Sequence, residues 1–127
     1  MIVSHHLRVL LVEDEAVSAM ALAAVCEQAG YRVTCVGNGR EGLEAFERAP
    51  FDVVVTDLNM PQLDGGRMIR SLRREWPCLP VVVVTGSPPP GGLRELQGSE
   101  PGVMALLTKP VAGADLVRAI RGVFAMT

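Results

Sequence analysis

No apolar run in this sequence approaches the roughly 20 residues that a membrane-spanning helix needs. The start, Met1-Ile2-Val3-Ser4-His5-His6-Leu7, carries no signal-peptide pattern, because strand-like sequence follows at once. Charge of one sign does not prevail. Twelve Lys and Arg stand against 14 Asp and Glu, and a net charge of −2 gives no general reason to expect nucleic acid or an anionic membrane as partner. Cysteine is scarce: Cys26, Cys35 and Cys78 have neither metal-ligand nor CxxC spacing, so they read as reduced thiols in a cytoplasmic protein. The two histidines, His5-His6, sit together at the start and read as a solvated tail rather than a metal site. There is no internal repeat, and the one biased tract is Ser87-Pro88-Pro89-Pro90-Gly91-Gly92. What remains is 127 residues, 49% hydrophobic and 20% charged, which fits one soluble globular domain with a real core.

Five short apolar runs alternate with helical patterns. Arg8 to Val12 is the first strand, followed by Glu13-Asp14 and a helix from about Glu15 to Ala29 that Gly30 closes. Arg32 to Val36 is the second strand. Asn38 then reads as an N-cap, with Glu41 completing a variant of the capping box, and the helix buries Leu43 and Phe46. Phe51-Asp52-Val53-Val54-Val55-Thr56-Asp57 is so apolar that it reads as a strand buried on both faces, ending in an acid. Asp64 caps a third helix to about Glu75, with Met68, Ile69 and Leu72 inward. Val81 to Val84 is the fourth strand, ending in Thr85-Gly86. The proline tract that follows excludes regular helix, so only Leu93 to Gln97 can form a short fourth one. Val103 to Leu107 is the fifth strand. A last helix from about Ala112 to Ala125 turns Leu116, Ile120, Val123 and Phe124 inward.

Strands alternating with helices imply right-handed βαβ units and a parallel sheet, so every carboxyl end lies on one edge. That edge collects Glu13, Asp14, Asp57, Thr85 and Lys109. Ligands bind at this edge in open α/β sheets. Two carboxylates about 4 Å apart at an effective dielectric near 20 repel by about 4 kcal/mol, which a divalent cation would relieve. Oxygen-only ligands suit Mg²⁺, and the lack of nearby His or Cys argues against zinc. A carboxylate nucleophile, a hard metal, an ammonium and a hydroxyl suit phosphoryl transfer to Asp57, with Gly86 leaving space for the phosphoryl group.

The chain resembles the receiver domains of two-component response regulators. The resemblance rests on Leu11-Val12-Glu13-Asp14, on Val55-Thr56-Asp57-Leu58-Asn59-Met60-Pro61-Gln62-Leu63-Asp64-Gly65, on Val84-Thr85-Gly86 and on Thr108-Lys109-Pro110, in that order. It covers essentially the whole chain and treats residues 1–127 as a single receiver domain with no output domain in this chain. It implies a flavodoxin-like (βα)5 doubly wound α/β sandwich, its parallel sheet ordered 2-1-3-4-5 and its fourth helix short or irregular. It makes Asp57 the phosphoacceptor, with Asp14 a direct Mg²⁺ ligand and Glu13 its neighbour acting through water. The backbone carbonyl of Asn59 completes the metal site, Thr85 and Lys109 contact the phosphoryl group, and the bond before Pro110 is cis. It implies a sensor histidine kinase or histidine phosphotransfer protein as phosphodonor, with the domain catalysing only its own phosphorylation and autodephosphorylation.

Two positions depart from that family's pattern. Leu106 stands where an aromatic residue often sits, three before the lysine, and the fourth helix is shortened behind its prolines. The first helix has no charged residue from Ala16 to Cys26, so its outer face is expected to expose Ala19, Met20 and Ala23 as a docking surface for the phosphodonor. Trp76, at the far end of the third helix, is expected to be a poor reporter of metal binding. A phosphorylation-independent interaction domain of the same fold is the competing reading. A flavodoxin-like or nucleotide-binding enzyme is disfavoured by the acidic turn Glu13-Asp14-Glu15, which stands where a Gly-rich phosphate loop belongs.

Overall fold

The computed structural model describes residues 6–60, 62–98 and 102–125, so His5 and Pro61 lie outside the described residues. Five strands alternate with five helices: β1 (Arg8–Val12), α1 (Ala16–Gln28), β2 (Arg32–Val36), α2 (Gly39–Arg48), β3 (Val53–Thr56), α3 (Gly65–Glu75), β4 (Val81–Thr85), α4 (Gly92–Gln97), β5 (Met104–Thr108) and α5 (Gly113–Ala125). All neighbouring strands pair in parallel, in the order β2-β1-β3-β4-β5. This is the expected flavodoxin-like arrangement, with the sheet covered on both sides. No helix among the described residues is long and apolar enough to cross a membrane.

Side chains alternate across a strand, and the apolar runs use both directions. Leu10, Val12, Val54, Val81 and Val83 point to one side, where they meet Phe46, Met68 and Leu72 from α2 and α3. Val9, Leu11, Val53, Val55, Val82 and Val84 point to the other, against Leu22 and Cys26 of α1 and Leu116 and Ile120 of α5. Two cores therefore grip the three central strands.

Local signals set the helix ends. The Tyr31 amide donates to Cys26 O and the Gly30 amide to Glu27 O, with Gly30 at φ 91°, which is the Schellman closure of α1. Asn38 Oδ1 accepts from the Glu41 amide at 2.9 Å, and Glu41 Oε1 accepts in return from the Gly37 amide at 2.9 Å. Asp64 Oδ1 accepts from the Arg67 amide at 2.8 Å. α4 has six residues and no buried side chain, and it begins and ends at glycines of positive φ, Gly92 and Gly98.

The structure corrects several expectations. Ala19 is half-buried, and Ala23 is buried, not exposed, because α1 packs a stripe of Leu22, Ala23 and Cys26 on the sheet and α5. Its uniformly apolar sequence carries no polar face to mark its phase. The exposed large apolar side chains of α1 are Val17 and Met20, at 78% and 73% of full exposure. Phe124 is 42% exposed rather than inward. Leu116, Ile120 and Val123 already fill the inward stripe at helical spacing, and Phe124 lies about 100° past the last of them. Leu43 sits at the rim of its core, half-buried, while Phe46 is buried. β5 begins at Met104, one residue later than expected, and α5 begins at Gly113. His6 is no free tail residue, since its Nδ1 lies 2.8 Å from Gly30 O.

One buried charge carries no sequence signal. Arg73 is 4% exposed, and its guanidinium donates to Leu79 O at 2.9 Å and Val103 O at 3.0 Å, tying α3 to the segments that enter β4 and β5.

The cap of α2 yields a stability prediction. Asn38→Ala removes the acceptor for the Glu41 amide and should lower stability by about 1 kcal/mol. Urea unfolding should show an earlier midpoint with an unchanged slope.

Candidate functional site

The carboxyl ends of β1, β3, β4 and β5 meet at one edge of the sheet. Glu13 and Asp14 follow β1, Asp57 follows β3, Thr85 ends β4, and Lys109 follows β5. The strand ladder extends one residue beyond the strands and holds their backbones. The Glu13 amide donates to Val36 O at 3.0 Å, the Asp57 amide to Val12 O at 3.2 Å and the Lys109 amide to Thr85 O at 2.9 Å. The Lys109–Pro110 peptide is cis. The loop after Asp57 folds back tightly: the Gly65 amide donates to Leu58 O, and a Cβ on Gly65 would come within 2.1 Å of Asp57 O. A residue with a side chain would push the start of α3 off the backbone of Asp57.

The side chains converge. Lys109 Nζ lies 3.0 Å from Asp57 Oδ2 and also pairs with Glu13 Oε1. Asp57 Oδ1 accepts from the amides of Leu58 at 2.6 Å and Asn59 at 3.2 Å. Glu13, Asp14 and Asp57 each offer an oxygen within 4.8 Å of the others. Glu13 is 4% exposed and Asp57 9%, whereas Asp14 is open to solvent. The structure thus brings together the four charged residues expected here. Asn59 joins through its amide, and Thr85 lies beside Asp57 with its hydroxyl accepting from the Ser87 amide at 3.2 Å. Ser18, which no motif marks, donates to Glu13 Oε1 at 3.1 Å. The backbone amide of Leu58 likewise carries no sequence signal.

Burial pushes the Asp57 carboxyl up. Hydrogen bonds from Lys109, the Asn59 amide and Thr85, with the Lys109 charge, outweigh it and hold the group below its ordinary value. Burial pushes Lys109 down, and its bonds to Glu13 and Asp57 outweigh that and raise it. The two directions define a window. The stability from Asp57 is present above its ordinary carboxyl value and is lost as pH falls through the depressed one. The stability from Lys109 is complete below the ordinary lysine value and is lost as pH rises through the raised one. Near neutral pH Asp57 is therefore a carboxylate and Lys109 an ammonium.

The donor set fits a hard divalent cation. It is made of carboxylate oxygens packed closely enough to repel one another, with one member facing solvent. No histidine or cysteine belongs to the cluster among the described residues.

The family model for the response regulator receiver domain matches residues 9–121. The chain belongs to the response regulator receiver family. It is 35% identical over 115 residues to the sensory transduction protein RegX3 of Mycolicibacterium smegmatis, which covers 91% of this chain and 49% of RegX3. The chain spans between 16% and about half the length of the curated relatives it matches. Among solved structures, the chemotaxis protein CheY4 of Vibrio cholerae superposes with TM-score 0.84 at 25% identity, covering 94% of this chain and 99% of that one. The receiver domain of sensor histidine kinase PA1611 from Pseudomonas aeruginosa PAO1 superposes with TM-score 0.82 at 28% identity, covering 95% and 99%. That receiver domain has a magnesium ion coordinated in its active-site cleft.

After burial, which pushes the Asp57 carboxyl up, Lys109 is the largest influence on it and holds it down, and this can be measured. In Lys109→Met the pKa of Asp57 should rise, because burial remains while the ammonium and its hydrogen bond are gone. Carboxyl ¹³C NMR titration reads the shift directly. A titration unchanged from wild type would show that Lys109 does not set it.

Proposed function

We propose that this receiver domain accepts a phosphoryl group on Asp57 from a phosphohistidine, in a Mg²⁺-dependent reaction, and signals by altered binding to a partner. The observation that carries the reading is Lys109 Nζ reaching both Asp57 and Glu13 inside a cluster of oxygen ligands. An Asp57 carboxylate oxygen attacks phosphorus. The P–N bond to the donor imidazole breaks, and its electron pair leaves with the imidazole. Lys109 is within reach of the incoming oxygens, and Thr85 can turn its hydroxyl toward them. The depressed pKa of Asp57 keeps the nucleophile ionised at neutral pH.

Bound Mg²⁺ would neutralise the charge shared by the phosphoryl group and the acids. Asp14 and Asp57 would hold it directly, Glu13 through water, and Asn59 by its backbone carbonyl. Water attack on phosphorus later breaks the P–O bond to Asp57, releases inorganic phosphate and returns the free carboxylate, so the domain turns over no external substrate beyond its phosphodonor. The magnesium in the PA1611 receiver domain supports the choice of ion.

The donor is a sensor histidine kinase or a histidine phosphotransfer protein, docking in the cytoplasm on the exposed apolar face of α1. That face comprises Val17 and Met20, with Ala23 excluded by its burial. Outward signalling runs through a half-buried Leu106 and a short α4, in place of an aromatic residue and a regular helix. The complete acid cluster with its lysine gives no support to a phosphorylation-independent interaction domain.

Incubation with acetyl phosphate and Mg²⁺ should add one phosphoryl mass to the chain, and Asp57→Asn or removal of the metal should abolish the gain. Intact-mass spectrometry decides it. A chain that gains nothing, or gains equally without Asp57, sinks the proposal. Met20→Glu should slow transfer from a phosphohistidine donor and leave the acetyl phosphate rate unchanged. Rates unchanged from wild type with both donors would remove α1 as the docking surface.

A further inference from the structure

We propose that Ser18 is a positioning residue for Glu13 and thereby sets the affinity of the site for Mg²⁺. The inference rests on the metal-dependent function proposed above. Ser18 carries the only hydroxyl in α1. A serine inside a helix ordinarily turns its hydroxyl back to the carbonyl four residues earlier or out to solvent. Here Oγ is 3.1 Å from Glu13 Oε1, five residues back and outside the helix.

The Glu13 carboxylate is buried and has three donors. Oε1 takes Ser18 and Lys109, and Oε2 takes the Glu15 amide at 3.2 Å. Glutamate has one more rotatable bond than aspartate, so its carboxylate needs more restraint to stay in one place. Lys109 is shared between Glu13 and Asp57, and its ammonium is within reach of a phosphoryl group on Asp57. Were it to turn to that group, Glu13 Oε1 would keep Ser18 alone. The hydroxyl would then still orient the carboxylate toward a bound Mg²⁺ at no cost in charge.

Without Ser18, Oε1 keeps Lys109 alone, and the carboxylate is a freer side chain that bound Mg²⁺ would have to order. That cost acts toward weaker metal binding.

Ser18 also lines a groove of about 420 Å³ beside Leu22, Val84, Lys109 and Pro110. The groove has room for one more methyl group, so threonine can replace serine and keep the hydroxyl. Alanine is the better helix former, so Ser18→Ala should fold.

The test is calorimetric titration of Mg²⁺ into the wild type, Ser18→Ala and Ser18→Thr, with urea unfolding of each. Ser18→Ala should lose about tenfold in Mg²⁺ affinity, the usual scale for removing a group that orients a metal ligand. Ser18→Thr should stay close to wild type, and all three should unfold at similar urea concentrations. With acetyl phosphate, Ser18→Ala should need more Mg²⁺ for half-maximal rate and recover the wild-type rate at saturation. Ser18→Ala binding Mg²⁺ like wild type, or Ser18→Thr losing as much as Ser18→Ala, overturns the inference. A wild type that binds no Mg²⁺ overturns both this inference and the proposed function. A wild type that binds Mg²⁺ and is phosphorylated on Asp57, beside an unaffected Ser18→Ala, overturns this inference alone.

Discussion

Three carboxylates within 4.8 Å of one another repel strongly, and the ammonium of Lys109 is the charge that lets them stand together. It does so from the far side of the sheet, 96 residues from Glu13 and 52 from Asp57 along the chain. Nothing local could place it there. Its position depends on β5 pairing with β4 in register, so that the Lys109 amide reaches Thr85 O just where the strands end. The site is therefore a property of the sheet edge. Each charged group follows a strand whose position two apolar cores hold from both sides.

The same construction explains what is rigid and what is free. β1, β3 and β4 are buried almost completely, and they present Glu13, Asp57 and Thr85 on backbones that cannot shift without opening a core. α4 buries no side chain, and only Leu96 packs against the core beneath it. The backbone that carries Asp57 is thus fixed, whereas the helix beside β5 is loosely held. Elements that respond to a chemical event are drawn from such weakly packed parts of a fold.

Much of this was legible in the sequence. The strands could be read from runs of Val and Leu, since continuous apolarity over four or five residues is what a strand covered on both faces requires. Asn38 and Asp64 announced helix starts because a capping side chain bonds only three residues ahead, and Gly30 announced a stop for an equally local reason. The acids at the strand ends could be grouped because parallel topology puts all carboxyl ends on one edge. Other features were not legible. Ala23 and Phe124 were misjudged because an evenly apolar helix, or one with two candidate stripes, carries no internal mark of its phase. Arg73 carries no mark of burial in the sequence. Its burial depends on carbonyls at Leu79 and Val103, one of them 30 residues away.

By itself, then, the sequence determined the order of the elements, their caps and the identity of the groups that share the sheet edge. Each of these follows from spacing along the chain, where local hydrogen bonds and side-chain alternation act. Only the tertiary structure decided that Lys109 bridges Glu13 and Asp57, that Ser18 turns its hydroxyl to Glu13, and that α1 shows Val17 and Met20 to solvent while hiding Ala23. Those outcomes depend on how a helix is rotated against a sheet and on distances between strands. Packing of two cores sets both, and no run of neighbouring residues encodes them.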